Sequence, residues 1–277
     1  MDTGYMTKIT RAGTGDARPD KMLSNARQLV PAVDRAMRIM ALLESSPQQT
    51  FSMSDIARQL EIPKSTAFNI CGALVEGQML RRSRDGFQLG RRLVQLGSAY
   101  VQSVNLVGEF YDICRSISAD LRATIQLAVL DEEFNAVYLG YQDCNSGLRL
   151  GLGGGIGRRV PANCTACGKA LLALLSPSEL QRRMPNGTLP GMTPKSVTER
   201  SRLLEELEEV RQMRYAHDDE ETVSGLSCVA TTISSSHAED GYVAISISAL
   251  TETLNAERKL MIRATLDGIA QELRDRL

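Results

Sequence analysis

Residues 53–74, MSDIARQLEIPKSTAFNICGAL, decide how the chain is read. Met53, Ile56, Ala57 and Leu60 recur at helical spacing behind Ser52 or Ser54, either of which can cap the helix. Glu61-Ile62-Pro63 breaks the pattern, and Pro63 suits the first turn of a following helix, where its missing N–H costs nothing. Ala67, Ile70, Cys71 and Leu74 form the inner stripe of that helix. Ser65, Phe68, Asn69 and Gly72 point the other way, and Lys64, Ser65 and Thr66 stand at its N-terminus, where hydroxyls, an ammonium and open backbone N–H groups can meet phosphate. Asn69 can reach a base edge. Two short helices with a tight turn, the second presenting polar donors, match a helix-turn-helix whose recognition helix enters the major groove.

Upstream, Val33, Ala36, Met37, Met40 and Leu43 form an apolar stripe that predicts a first helix over residues 31–45. Downstream, residues 80–89 (LRRSRDGFQL) read as a hairpin, with Asp85-Gly86 expected to supply the positive φ angles of its turn. Arg81, Arg82 and Arg84 then sit on a wing able to touch the sugar-phosphate backbone or the minor groove. The same pattern is also compatible with an interaction module whose arginines are merely solvated. Residues 91–101 continue as a helix, with Leu93, Leu96 and Tyr100 spaced for packing.

Charge supports a division of labour. Residues 1–92 carry 14 Lys and Arg against 9 Asp and Glu, net +5, whereas the remainder of this 277-residue chain is net −6. A hydrophobic share of 43% can fill two cores, and no apolar run approaches the ~20 residues of a membrane span. Residues 1–28 lack the apolar middle of a secretory signal and are expected to be a disordered arm. The cysteines at 71, 114, 144, 164, 167 and 228 lack the spacing of a secreted scaffold, so reduced thiols in a cytoplasm are expected.

Beyond residue 106 helical and β-like runs mix. A helix is expected over 106–121, and strands over 125–130, 136–141, 148–152, 228–234 and 242–248. Further helices are expected over 166–175, 177–183, 199–214 and 256–276, the last with Ile262, Leu266, Ile269 and Leu273 on one side. This reads as one α/β domain with an antiparallel sheet. The glycines at 151, 153, 154, 155 and 157 do not fit a dinucleotide loop, and read as a flexible loop over a pocket or as a plain surface turn. Cys164 and Cys167 could form a redox pair or half a zinc site, but no second pair stands at metal spacing and His217 and His237 are the only histidines, so neither metal nor cofactor is expected. The segment they open begins a helix whose N–H groups could receive an anion.

Six blocks in order resemble the IclR family of bacterial transcriptional regulators. They are VDRAMRIM (33–40); SDIA (54–57) through IPKST (62–66); FQLG (87–90) with Leu93 and Leu96-Gly97; PANCTACGKALLA (161–173); DDEE (218–221) followed by GLSC (225–228); and AISIS (244–248). The chain departs from the family where Asn69 replaces an often basic residue and Phe68 a common histidine, so the operator cannot be carried over. Ala249-Leu250 also stands where Gly-Pro usually follows the Ser-x-Ser strand.

The resemblance implies an α+β two-domain protein: a winged helix-turn-helix of three helices plus a β-hairpin wing (29–90), a linker helix (91–105) and a GAF/PAS-like α/β effector-binding domain with an antiparallel sheet (106–277). It implies a homodimer or a tetramer built as a dimer of dimers, double-stranded DNA as partner, no membrane, and a small-molecule effector. It places Ala166, Cys167, Asp218, Cys228, Ser246 and Ser248 at the effector, and small polar groups around a small cavity suit a carboxylate. On a bland reading, Ser246 and Ser248 alternate with Ile245 and Ile247 as on any half-buried strand. The expected function is a ligand-responsive repressor or activator. A small-acid enzyme is the alternative, poorly supported without a GxSxG elbow, a phosphate loop or a metal pair. An interaction protein without DNA affinity is the third reading.

Overall fold

A computed structural model describes residues 30–103, 105–117, 119–145, 156–234 and 241–277. The expected arm, the expected strand at 148–152, the glycines at 151–155 and His237 lie outside the described residues. The chain divides into two compact units, Met1–Gln95 and Leu96–Leu277.

The first unit holds α1 (Pro31–Glu44), α2 (Met53–Gln59), α3 (Lys64–Glu76) and a hairpin of β1 (Leu80–Ser83) and β2 (Gly86–Leu89). Ser52 caps α2 through a capping box, its hydroxyl accepting from the Asp55 N–H at 3.2 Å while the Asp55 carboxylate accepts from the Ser52 N–H at 3.3 Å. Pro63 stands just before α3 and not inside its first turn. Ala67 and Cys71 bury against Ile39, Leu43, Phe51, Ile56, Leu80 and Phe87, with Ile70 and Leu74 at the margin.

Two sequence expectations fail here. Helix α1 buries Ile39 and Leu43, whereas Val33 and Met37 are 58% and 66% exposed. The helix carries two apolar lines about a third of a turn apart, and periodicity alone merged them. The wing turn is Arg84-Asp85, because Ser83 pairs with Gly86. Gly86 sits at φ +146°, already in β2, and a Cβ there would lie 2.2 Å from the Phe51 carbonyl oxygen. The glycine lets Phe51 approach and exchange backbone hydrogen bonds of 3.1 and 2.9 Å with Phe87.

Helix α4 (Arg92–Ser103) contains the boundary between the units. Its expected packing stripe is half-buried at Leu93 and exposed at Leu96 and Tyr100. The second unit continues with α5 (Asn105–Cys114), β3 (Ala123–Leu130), β4 (Asn135–Cys144), β5 (Arg159–Pro161), α6 (Ala166–Leu172), α7 (Pro177–Arg183), α8 (Arg200–Met213), β6 (Ala216–Asp219), β7 (Leu226–Ser234), β8 (Tyr242–Leu250) and α9 (Ala256–Arg276). Helix α5 is shorter than expected, ending at Cys114.

The six strands form one antiparallel sheet in the order β5-β4-β3-β8-β7-β6. Sequence reading missed β5 and β6, edge strands of three and four residues that are too short to show a period. Ile125, Leu127, Ile245 and Ile247 pack on one face against α5 and α9, whose Ile262, Leu266, Ile269 and Leu273 are buried as predicted. Ala128, Ala216, Ala230 and Ala244 pack on the other face against α6, α7 and α8. Large side chains fill the first face, and small ones leave room beneath α6 on the second.

Gly86→Ala is expected to destabilise the first unit by about 1–3 kcal/mol through overpacking against Phe51. Hydrogen exchange would read this as faster exchange of the hairpin amides, and unchanged protection would contradict the account.

Candidate functional site

The eight residues proposed for DNA contact all lie in the first unit. Lys64, Ser65, Phe68, Asn69, Arg81, Arg82 and Arg84 are exposed, and Thr66 is half-buried. Phe68, on the outer face of α3, is 62% exposed, a large apolar surface left in water beside Asn69. Among the described residues no carboxylate ion-pairs with Lys64 or with the three wing arginines, so their charge is available to a polyanion.

In the second unit all six residues assigned to the effector line one narrow cavity of about 30 Å³. The sheet register explains how they meet. Thr124 of β3 pairs with Ser248 of β8, Ser248 with Cys228 of β7, and Cys228 with Asp218 of β6, while Gln126 pairs with Ser246. Side chains opposite one another on neighbouring strands share a face, so one polar row crosses the sheet under α6. Both faces of β8 are covered, and Ser246 and Ser248 are 2% and 1% exposed. The half-buried-strand reading therefore does not hold: these hydroxyls face a covered cavity, not solvent. Both donate to the Gln126 Oε1, at 3.4 and 3.2 Å.

The roof follows from residues 162–169. Thr165 caps α6, its hydroxyl accepting from the Gly168 N–H at 2.8 Å. That N–H is thus taken within the protein. A Cβ on Gly168 would stand 2.3 Å from the Ala162 carbonyl oxygen, so only glycine lets this turn close. The two cysteines separate: Cys164 donates to the Pro190 carbonyl at 3.3 Å, whereas Cys167 lines the cavity. Burial pushes the Cys167 thiol up to about 12 and raises those of Cys228 and Cys164 as well, which disfavours thiolate chemistry. Among the described residues no group of three or more His, Cys, Asp or Glu is arranged to hold a metal ion.

Asp218 closes the far side. Its carboxylate accepts from the backbone N–H groups of Glu221 at 2.7 Å and Thr222 at 3.3 Å, and burial holds its pKa above the ordinary carboxylate value. Behind it the buried Lys169 ammonium donates to Glu206 at 2.6 Å, to Glu221 at 2.7 Å and to the His217 carbonyl at 3.2 Å. Burial also raises the Glu221 pKa, against the pull of Lys169. The Thr222 hydroxyl donates to the Cys164 carbonyl at 2.6 Å, fastening the Asp218 loop to the roof.

Sequence reading missed Gln126, Tyr138, Arg158, Thr165, Thr222 and Leu226 in the cavity wall. Gln126 was legible as a polar residue between Ile125 and Leu127; Arg158 and Thr222 come from irregular segments without a period.

A winged helix-turn-helix and a cavity-bearing α/β domain on one chain define a one-component transcriptional regulator. Residues 32–84 match the IclR helix-turn-helix domain, and residues 98–274 match the bacterial transcriptional regulator IclR C-terminal domain. The chain belongs to the IclR family of transcriptional regulators. It is 29% identical to the HTH-type transcriptional repressor AllR of Salmonella paratyphi A over 97% of both chains. The Thermotoga maritima IclR structure covers 90% of this chain and 99% of its own at 25% identity, with a TM-score of 0.65. An IclR homologue of Microbacterium hydrocarbonoxydans, complexed with 4-hydroxybenzoate, shares the fold at 21% identity, covering 88% and 99% with a TM-score of 0.69. These relatives are regulators and not enzymes, which sets the enzyme alternative aside. Among the described residues no helix is long and apolar enough to cross a membrane.

Two outcomes test the site's electrostatics. Lys169→Met leaves Glu206 and Glu221 without their buried cation and is expected to cost about 3–5 kcal/mol in urea unfolding. Asp218 keeps its proton to higher pH in the folded chain than in the unfolded one, so its contribution to stability falls as pH rises above about 4. Glu221 shifts the same way. Asp218→Asn can still accept both N–H bonds, so melting temperatures measured from pH 4 to 8 should decline less steeply with pH in the variant; an identical slope would refute the assignment.

Proposed function

We propose that this regulator binds an operator through α3 and the wing and releases or engages it in response to a small organic acid held in the cavity of the second unit. The observation that carries the reading is the polar row Thr124, Ser248, Cys228 and Asp218 on a covered sheet face. A covered face normally favours apolar side chains, because a buried polar group without a partner is costly. A cavity ringed by hydroxyls, an amide, thiols and a carboxyl suits a small polar ligand whose groups complete those hydrogen bonds.

On this reading Lys64, Ser65, Thr66, Arg81, Arg82 and Arg84 meet phosphates and sugars, while Asn69 and Phe68 meet base edges, the ring suiting a thymine methyl. Residues 29–90 form the DNA-binding head, 91–105 the linker and 106–277 the effector domain. Ala166, Cys167, Asp218, Cys228, Ser246 and Ser248 contact the effector. The exposed line of Val30, just before α1, and Val33 and Met37 on it supports a homodimer or a dimer of dimers, since a second copy would remove this apolar surface from water. The repressor names of the AllR relatives favour repression, and the bound 4-hydroxybenzoate of the Microbacterium protein favours a carboxylate. A DNA regulator with reduced thiols works in the cytoplasm.

Fluorescence anisotropy with DNA from upstream of the protein's own coding region tests the head. Affinity should fall linearly on a log–log plot against salt, and Lys64→Ala with Arg82→Ala should flatten that slope by roughly one for each phosphate no longer neutralised. Absence of salt-sensitive binding would sink the reading.

A further inference from the structure

Two neighbouring arginines at the start of β5 have opposite surroundings. Arg159 turns outward and pairs with Asp131 at 2.5 Å and with Glu133. Arg158 lines the cavity, is half-buried, and ion-pairs with no carboxylate among the described residues. Its backbone carbonyl accepts from the Tyr138 N–H at 3.0 Å, which fixes it beside β4.

The buried Tyr138 phenol shows which groups share this space. Cys167, Cys228 and Asp218 push its pKa up in addition to burial, whereas Arg158 pulls it down. The Arg158 guanidinium is therefore close enough to act on the same phenol that senses Asp218. The rest of the wall supplies neutral groups: Gln126, Ser246 and Ser248 with hydroxyls and an amide, Cys167 and Cys228 as protonated thiols. Asp218 is the one acid in the lining, and its two backbone donors already engage it.

We propose that Arg158 is the anion receptor of the cavity, so that the ligand is a small monocarboxylate whose carboxylate lies on the guanidinium and whose hydroxyl or carbonyl end lies among Gln126, Ser246, Ser248 and Asp218. The assignment rests on reading this cavity as the effector site. A planar guanidinium offers two parallel N–H donors to a carboxylate and is less strongly hydrated than an ammonium, which suits a half-buried position. At about 30 Å³ the cavity as folded holds little more than a water molecule, so the ligand is small and its entry moves the wall apart. A second carboxylate at the far end would meet Asp218 without a cation of its own in the lining, so dicarboxylates are disfavoured.

The test compares matched acids and amides: lactate with lactamide, and 4-hydroxybenzoate with 4-hydroxybenzamide, each titrated into the full chain by calorimetry with saturation-transfer NMR for weak binders. The wild type is expected to prefer at least one acid over its amide. Arg158→Gln should weaken acid binding by about tenfold to a hundredfold, the loss of a charge-assisted hydrogen bond, and erase the preference. Arg158→Lys should retain part of it, and Arg159→Gln all of it. An acid preference that survives in Arg158→Gln, or that Arg159→Gln removes equally, overturns the role of Arg158. A wild type that binds neither acid overturns the carboxylate reading of the cavity itself, a failure distinct from the first.

Discussion

One buried cation holds the sensing site together. Lys169 leaves α6 at its inner side and, almost out of contact with water, reaches Glu206 on α8, Glu221 in the loop after β6 and the carbonyl of His217 on β6. Helix α6 is thereby joined at one atom to α8, strand β6 and the loop after it, 37 to 52 residues further along the chain. Removing an ammonium from water costs several kcal/mol, which only close carboxylates and a well-placed carbonyl can offset. The roof, the edge strand and the acidic loop are consequently fixed as a set, and the cavity exists because they are. The Glu221 that holds Lys169 also donates its N–H to Asp218, so the charge node and the ligand wall share a residue.

That node would have nothing to enclose without the division of labour in the sheet. Strand β8 alternates Val243, Ile245 and Ile247 with Ala244, Ser246 and Ser248, and both sets are buried. The isoleucines fill the layer under α5 and α9, and the short side chains keep α6 from filling the other layer. Small residues in a close-packed interior ordinarily bring the covering helix closer. Here the position of α6 is fixed by its own cap, by the close approach of Gly168 to Ala162 and by the Thr222 tether to Cys164, and the space left above the short side chains is the cavity.

Legibility followed the length of the period available. Helix α9 repeats its buried positions often enough for the pattern to be unambiguous, and Ile262, Leu266, Ile269 and Leu273 all lie where spacing put them; the shorter α2 and α3 were legible from the break at Pro63 between two apolar stripes. Helix α1 misled because two apolar lines overlap, and only packing against Phe51 and Ile56 selects one of them. Strands β5 and β6 were invisible for want of residues. The effector residues were assigned through resemblance and not through pattern, since nothing local in Asp218 or Cys228 says that they face Ser248 across a sheet. Register does that, and register is a tertiary property. The glycine of the wing shows the limit of turn rules: Asp85-Gly86 has the composition of a tight turn, but the close approach of Phe51 uses Gly86 elsewhere.

Selectivity in such a cavity is asymmetric. An extra methylene on a ligand changes affinity by only about 1–3 kcal/mol, whereas an analogue that leaves built-in polar groups unpaired is rejected far more strongly. The Ser246 and Ser248 hydroxyls are buried in the cavity lining. Each of these hydroxyls, the Gln126 amide and the Asp218 carboxyl adds to the penalty for an apolar occupant. The site is thus built to exclude hydrocarbons of matching shape more sharply than it ranks acids of slightly different length. Discrimination among polar acids then falls to the position of charge, and the lining offers a single cation to read it.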